Sequence, residues 1–194
     1  LKDTTHFRVF DLVSGPSKPS YYHNSLNGYN AAELKRYREL FDFYIAKNNI
    51  NVLNMLNTKY IIIQDDNGSL VPYTNEEANG NAWFIEKLIG VSSADEEIKF
   101  LDSLNNKKQA LIDIRIPVSD FNDSFKLDSL ASINLKKVTP NYLKYESNNS
   151  NDGFAVFSEV YYGNGWKVFI DGENAKHIRV NYTLRGMAIP KGTH

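Results

Sequence analysis

The sequence predicts an α+β fold: N-terminal helices packed on a small sheet, followed by an antiparallel β-sandwich-like region. Three observations predict it. Within residues 31–47, Leu34, Tyr37, Phe41, Tyr44 and Ile45 recur at helical spacing, while Glu33, Lys35, Arg36 and Glu39 take the opposite face. From Ser129 onward only strand-like segments follow, at 131–138, 142–147, 154–161, 166–170, 177–182 and 184–189. Trp166, Val168 and Ile170 alternate with Lys167 and Asp171, the period of a strand with one face buried. The expected division is therefore an α/β subdomain over 1–127 and an antiparallel subdomain over 128–194.

Taken in order, residues 7–12 read as a short strand, and Gly15, Pro16 and Pro19 then force a loop. Residues 21–30 are polar and aromatic, and Asn30 is placed to cap the helix over 31–47. A second short helix is expected over 50–57. Residues 60–63 form a continuous apolar, mostly β-branched run that suits a buried strand. Asp65-Asp66-Asn67-Gly68 ends that strand in a turn, and 82–85 is another strand. Ser93-Ala94-Asp95-Glu96 has the form of a capping box, with Ile98, Leu101 and Leu104 as the stripe of the helix that follows. Residues 110–113 return to strand. Beyond Pro117, Asp120, Asn122, Asp123 and Ser124 make a polar linker. In the last third, residues 154–161 and 166–170 read as two strands joined by a turn in which Gly163 and Gly165 supply positive φ. Asp171-Gly172 is a strong two-residue hairpin signal to a third strand.

With 194 residues, 42% hydrophobic and 13% aromatic, the chain can bury a core and is not of disordered composition. A net charge of −1 gives no electrostatic reason for nucleic acid as a partner. No cysteine means no disulfide and no thiolate metal site. No apolar run approaches the roughly 20 residues that a membrane-crossing helix needs.

The run Phe157-Ser158-Glu159-Val160-Tyr161-Tyr162-Gly163-Asn164-Gly165-Trp166-Lys167-Val168-Phe169-Ile170-Asp171-Gly172 resembles a signature near the C-terminus of YfhO-like bacterial membrane proteins. Arg179-Val180-Asn181-Tyr182-Thr183-Leu184-Arg185-Gly186, followed by Ile189-Pro190-Lys191-Gly192-Thr193-His194, is similar to a second run of that family. Asn54-Met55-Leu56-Asn57-Thr58-Lys59-Tyr60-Ile61-Ile62, Gly80-Asn81-Ala82-Trp83-Phe84 and the region around Ser25-Leu26-Asn27-Gly28-Tyr29 fit as well. The resemblance implies the extracytoplasmic part of a polytopic, glycosyltransferase-like membrane protein of the cell envelope. It sets the chain on the extracytoplasmic face of the bacterial cytoplasmic membrane. The implied partners are the membrane-embedded remainder of the same protein and a glycan or lipid-linked sugar. The chain stops where the family continues, so the second subdomain is expected to be truncated before its last strand, with an edge left open.

Each candidate site has an ordinary structural role as its alternative. Asp65-Asp66-Asn67-Gly68-Ser69 lacks the spacing of a calcium loop and has the residues of a turn. His6, His23, His177 and His194 show no zinc spacing, so neither metal nor cofactor is expected. Glu159 and Asp171 sit on neighbouring predicted strands, and sugar hydrolysis uses two carboxyls about 5–10 Å apart. A cross-strand ion pair of Glu159 with Lys167 or Arg185 is the simpler reading. The aromatic residues are the stronger group. Tyr161, Tyr162, Trp83 and Tyr29 are the expected glycan-binding residues, since aromatic faces stack on sugar C–H groups while nearby carboxamides take hydroxyls. Trp166, alternating with Val168 and Ile170, is expected in the core. The functional expectation from this resemblance is a glycan- or acceptor-binding accessory domain, without catalytic residues of its own, of a glycosyltransferase-like membrane protein. The alternative is a structural or protein-interaction module of the envelope that binds no sugar.

Overall fold

The computed structural model describes residues 3–15, 18–28, 32–116 and 122–194. By its internal contacts the chain divides into two units, residues 1–80 and 81–194.

The first unit comprises β1 (Arg8–Asp11), α1 (Lys18–Tyr22), α2 (Lys35–Phe43), a 3-10 turn (Ile45–Lys47), α3 (Ile50–Met55), β2 (Thr58–Gln64) and β3 (Leu70–Thr74). β1 runs parallel to β2, and β2 antiparallel to β3, in the sheet order β1-β2-β3. The β2–β3 connection is a turn closed by its own acid. Asp65 Oδ1 accepts the backbone N–H groups of Asn67 at 3.0 Å and Ser69 at 2.8 Å. Pro72, which cannot donate to a ladder, is accommodated because β3 is an edge strand.

The expected N-terminal helices packed on a sheet are not what forms. Strand accounts for 40% of the structure and helix for 16%, with four short α-helices among the described residues. The helix read over 31–47 shrinks to the nine residues of α2. Its stripe breaks at Tyr44, whose φ of −133° leaves the helical region, and Asn48 at φ 59° closes the 3-10 turn that follows. Among the described residues of the stretch only Leu40 and Ile45 are buried in the core, while Leu34 and Phe43 remain exposed. A helix this short cannot present a continuous apolar face. Leu34, not Asn30, occupies the N-cap of α2 and offers no side-chain acceptor; Asn30 lies outside the described residues. The second helix forms as read, with Asn49 Oδ1 capping the N–H of Val52 at 3.0 Å.

Asparagines then stitch α3 to β2. Asn75 Nδ2 donates to Asn54 Oδ1 at 2.8 Å and to the Thr58 carbonyl at 2.9 Å. Asn57, at φ 54°, donates Nδ2 to the His6 carbonyl at 3.1 Å. The motif residues 54–62 thus satisfy buried backbone groups where a helix turns into a strand.

The second unit comprises β4 (Ala82–Ile85), β5 (Lys87–Val91), α4 (Ala94–Phe100), β6 (Gln109–Asp113), β7 (Ser132–Thr139), β8 (Tyr142–Asn149), β9 (Gly153–Val160), β10 (Val168–Ile170), β11 (Glu173–Ala175), β12 (Ile178–Val180), β13 (Leu184–Ile189) and β14 (Gly192–Thr193). Its centre is an antiparallel sheet in the order β12-β13-β9-β4. Phe84, Ala155, Phe157, Met187 and Ile189 form a buried cluster, against which Ile133, Tyr145, Val168, Ile170 and Ala175 pack. Those partners come from the sheet β14-β8-β7 and the ribbon β10-β11. Tyr145 meets Phe157 edge to face, with centroids 4.9 Å apart. Phe154 and Val156, the residues between, are buried as well, so β9 is covered on both faces.

α4 joins the parallel strands β5 and β6. Its start follows the expected signal: Ser93 Oγ accepts the Glu96 N–H at 3.1 Å. Glu96 Oε2 reaches back to the N–H and hydroxyl of Ser92, both at 2.7 Å, and these bonds hold its carboxyl below the ordinary range. The β12–β13 hairpin is locked onto this pair. Asn181 exchanges bonds with Leu111, its N–H donating to the Leu111 carbonyl at 3.0 Å and its Oδ1 accepting the Leu111 N–H at 2.8 Å. Tyr182 donates its N–H to Glu97 Oε1 at 2.8 Å. Asn181 (φ 48°) and Tyr182 (φ 71°) both take the left-handed conformation, and both are buried.

The strands read at 154–161 and 166–170 do form in part, but they do not pair with each other. β9 pairs with β13 and β4, whereas β10 pairs only with β11. The turn between them carries the chain out of the central sheet. The Asp171-Gly172 hairpin is as read: Ile170 opposes Glu173, and both loop residues have positive φ, 50° and 91°.

A pH-dependent latch closes this ribbon. His194 Nδ1 lies 2.6 Å from Asp171 Oδ2, and Nε2 lies 3.2 Å from the Lys191 carbonyl. Both partners only accept, so the pair of contacts requires both ring nitrogens to donate, and the imidazolium is the form that fits. The hydrogen bond to Asp171 accordingly raises the His194 pKa above its usual 6.5. Because the folded value lies above the unfolded one, the latch stabilises fully below about pH 6.5 and is lost as pH rises through the folded pKa. An NMR titration should place His194 above 6.5, and Asp171→Asn should return it toward that value. Asparagine tolerates the left-handed turn at this position, so the variant tests the charge and not the backbone. Melting temperatures of the two proteins should converge as pH rises; a gap independent of pH would refute the latch.

Candidate functional site

The two motif runs of the last third meet at one corner of the second unit. Leu184 opposes Val160 at the end of β9, and the register shifts between Leu184 and Arg185, so that Arg185 opposes Phe157. The Tyr161 N–H donates to the Thr183 carbonyl at 2.7 Å, and Arg185 Nε donates to the Val160 carbonyl at 3.1 Å. These bonds anchor the start of the 161–166 turn to β13.

Arg185 then lies over Trp166, its guanidinium carbon 4.4 Å from the ring centroid, within cation–π range. Tyr161 packs against His177 with centroids 5.2 Å apart. Burial, reinforced by the charge of Arg185, lowers the His177 pKa, so this imidazole is neutral at pH 7. Its Nε2 is buried and has no hydrogen-bond partner among the described residues. Tyr162 points outward and is half exposed.

The turn glycines have a different role from the one read in the sequence. Neither Gly163 nor Gly165 has positive φ. What they permit is close approach: a Cβ at Gly163 would stand 2.7 Å from the Tyr161 hydroxyl, and one at Gly165 2.3 Å from Tyr162 Cδ1. The turn folds its backbone against both rings, which holds them without a strand beneath. Trp166 likewise differs from its expected core position. Val168 and Ile170 pack on the core cluster, but Trp166 precedes β10 and is half-buried, with Arg185 on its face.

The structure therefore sets Tyr161 against His177 and Trp166 under Arg185, with the exposed Tyr162 next to Tyr161 in the chain. It does not bring Trp83 to them. Trp83 lies in β4 opposite Val156, and its indole N–H is spent on the Asn106 carbonyl at 2.8 Å. Tyr29 lies outside the described residues. Sequence reasoning missed His177 and Arg185 as members of the corner. His177, just before β12, and Arg185, on β13, come next to Tyr161 and Trp166 only through strand pairing. Asp171 of the considered acid pair is exposed and already bonded to His194. Among the described residues no group of three or more acidic or histidine side chains is placed to hold a metal ion.

An exposed phenol beside an aromatic ring stacked by a guanidinium offers stacking and hydrogen bonding. No family model matches the chain, and neither a curated protein nor a solved structure does. Among the described residues no helix is long and apolar enough to cross a membrane.

Proposed function

We propose that this chain is the extracytoplasmic glycan- or acceptor-binding domain of a YfhO-like integral membrane protein of the cell envelope, accessory to that protein's sugar chemistry and not catalytic alone. One observation carries the reading: residues of the two resembling runs, distant in sequence, meet at one corner, where Arg185 of the second run lies over Trp166 of the first and donates to the Val160 carbonyl, beside Tyr161 and Tyr162. Residues needed only for the sheet would have no reason to leave Tyr162 half exposed above a backbone cleared by Gly165. A tyrosine held this way loses little freedom on stacking, which favours binding.

Titration calorimetry with N-acetylglucosamine oligomers and other envelope saccharides tests it. Tyr162→Ala should weaken binding at this corner about tenfold, the size of one stacking contact of ~1.4 kcal/mol, with the circular dichroism spectrum unchanged. Saturable binding that survives Tyr162→Ala in full, or no binding to any envelope saccharide, would overturn it. The second outcome would leave the protein-interaction reading in its place.

A further inference from the structure

The first unit contains a cleft that neither motif run touches. It has a volume of about 460 Å³ and lies between the N-terminal segment and α1, walled by Tyr21, Tyr22, His23 and Asn24 on one side and by Asp3 and Thr5 on the other. That volume falls within the ~300–1,000 Å³ of small-ligand sites. Phe7 and Ser20 complete the lining.

The rings are exposed in a way the fold does not require. α1 buries Pro19 and leaves Tyr21 83% and Tyr22 68% exposed. They are held by each other, edge to face with centroids 4.9 Å apart, and Tyr22 has His23 beside it at 6.4 Å. Two preset aromatic faces beside a polar hollow favour a ligand with both C–H and hydroxyl surfaces. Tyrosine gives such contact area at small entropic cost.

Charge narrows the class. No Lys or Arg lines the cleft among the described residues. Asp3 is ionised, its carboxyl held far below the ordinary range chiefly by a hydrogen bond from Lys59, and then by Thr5. Lys59 is therefore committed to Asp3, and it caps the Phe7 ring from outside, 5.7 Å from the centroid. Asp3 also accepts the Thr5 N–H at 2.9 Å, the Thr5 hydroxyl at 2.7 Å and the Tyr60 hydroxyl at 3.0 Å. Among the described residues, a phosphate or carboxylate ligand would meet the Asp3 anion and no lining Lys or Arg. A neutral, polyhydroxylated ligand would meet hydroxyls, a carboxamide and two ring faces.

We infer that this cleft is a binding site for an uncharged saccharide, through stacking on Tyr21 and Tyr22 and hydrogen bonding to Asn24 and Thr5. It is independent of the corner at Tyr162: it lies on the other unit and rests on different residues. The test is an NMR titration of the whole chain, following Tyr21 and Tyr22 ring resonances, with N-acetylglucosamine and with its 6-phosphate. The neutral sugar should shift both rings saturably with a millimolar Kd, and the phosphorylated sugar should bind at least about tenfold more weakly. Tyr22→Ala should weaken neutral-sugar binding at this site about tenfold, and Tyr162→Ala should leave it unchanged. Tyr22 is too exposed for its removal to unfold the unit. No ring shift at tens of millimolar sugar, tighter binding of the phosphate, or loss through Tyr162→Ala but not Tyr22→Ala would overturn the assignment.

Discussion

Asn181→Ala is expected to cost about 3 kcal/mol of stability, the sum of a left-handed backbone worth ~1–2 kcal/mol and an unsatisfied buried N–H worth ~1–3 kcal/mol. Asn181 is fully buried at φ 48°. Its Oδ1 is the acceptor for the Leu111 N–H, and Leu111 is itself fully buried on β6. Alanine would lose the acceptor and keep the strained backbone. The two parts can be separated, because Asn181→Gly restores the backbone freedom but not the hydrogen bond and should recover only the first part. The side chain's Nδ2 has no partner among the described residues, so the gain comes through Oδ1 alone. Urea unfolding of the three proteins measures it. If alanine and glycine variants were equally destabilised, the backbone term would be absent and the account of the hairpin tip wrong.

Glu97→Ala should be at least as severe, about 3–5 kcal/mol, because it strips the partner from a buried polar group and leaves space behind. Glu97 is fully buried in α4, and its carboxylate takes the N–H of Tyr182, a residue whose φ of 71° no β-ladder could satisfy. Glu97→Gln keeps an oxygen of the same reach and should cost only ~1–2 kcal/mol. Unfolding midpoints in urea decide between them. A glutamine variant as unstable as alanine would mean that an accepting oxygen at this reach is not what holds the hairpin. Asn181 is adjacent in one turn to Tyr182, the residue that Glu97 grips, so their double variant should fall short of the sum of the singles.

Much of this was readable in advance where the cause is local. Asp171-Gly172 announces its two-residue hairpin, since few other residue pairs accept two successive positive φ values. Ser93 and Glu96 announce the start of α4, and Asp65 its own turn, because each satisfies backbone groups within four residues of itself. Alternation likewise marks Val168 and Ile170 as inward-facing. The helix over 31–47 misled because periodicity measures a stripe, and cannot show that Tyr44 leaves the helical region in the middle of it.

What the chain's order of residues determined by itself is its turns, caps and the facing of its strands, all set by chemistry that spans a few bonds. Tertiary structure alone decided that β9 takes β13 and β4 as neighbours in place of β10, that Arg185 comes to rest on Trp166, and that Tyr21 and Tyr22 stand at a cleft opposite Asp3. The physical reason is that every strand edge offers the same hydrogen-bonding groups, so local pattern fixes which way a side chain points but not which distant segment it will meet.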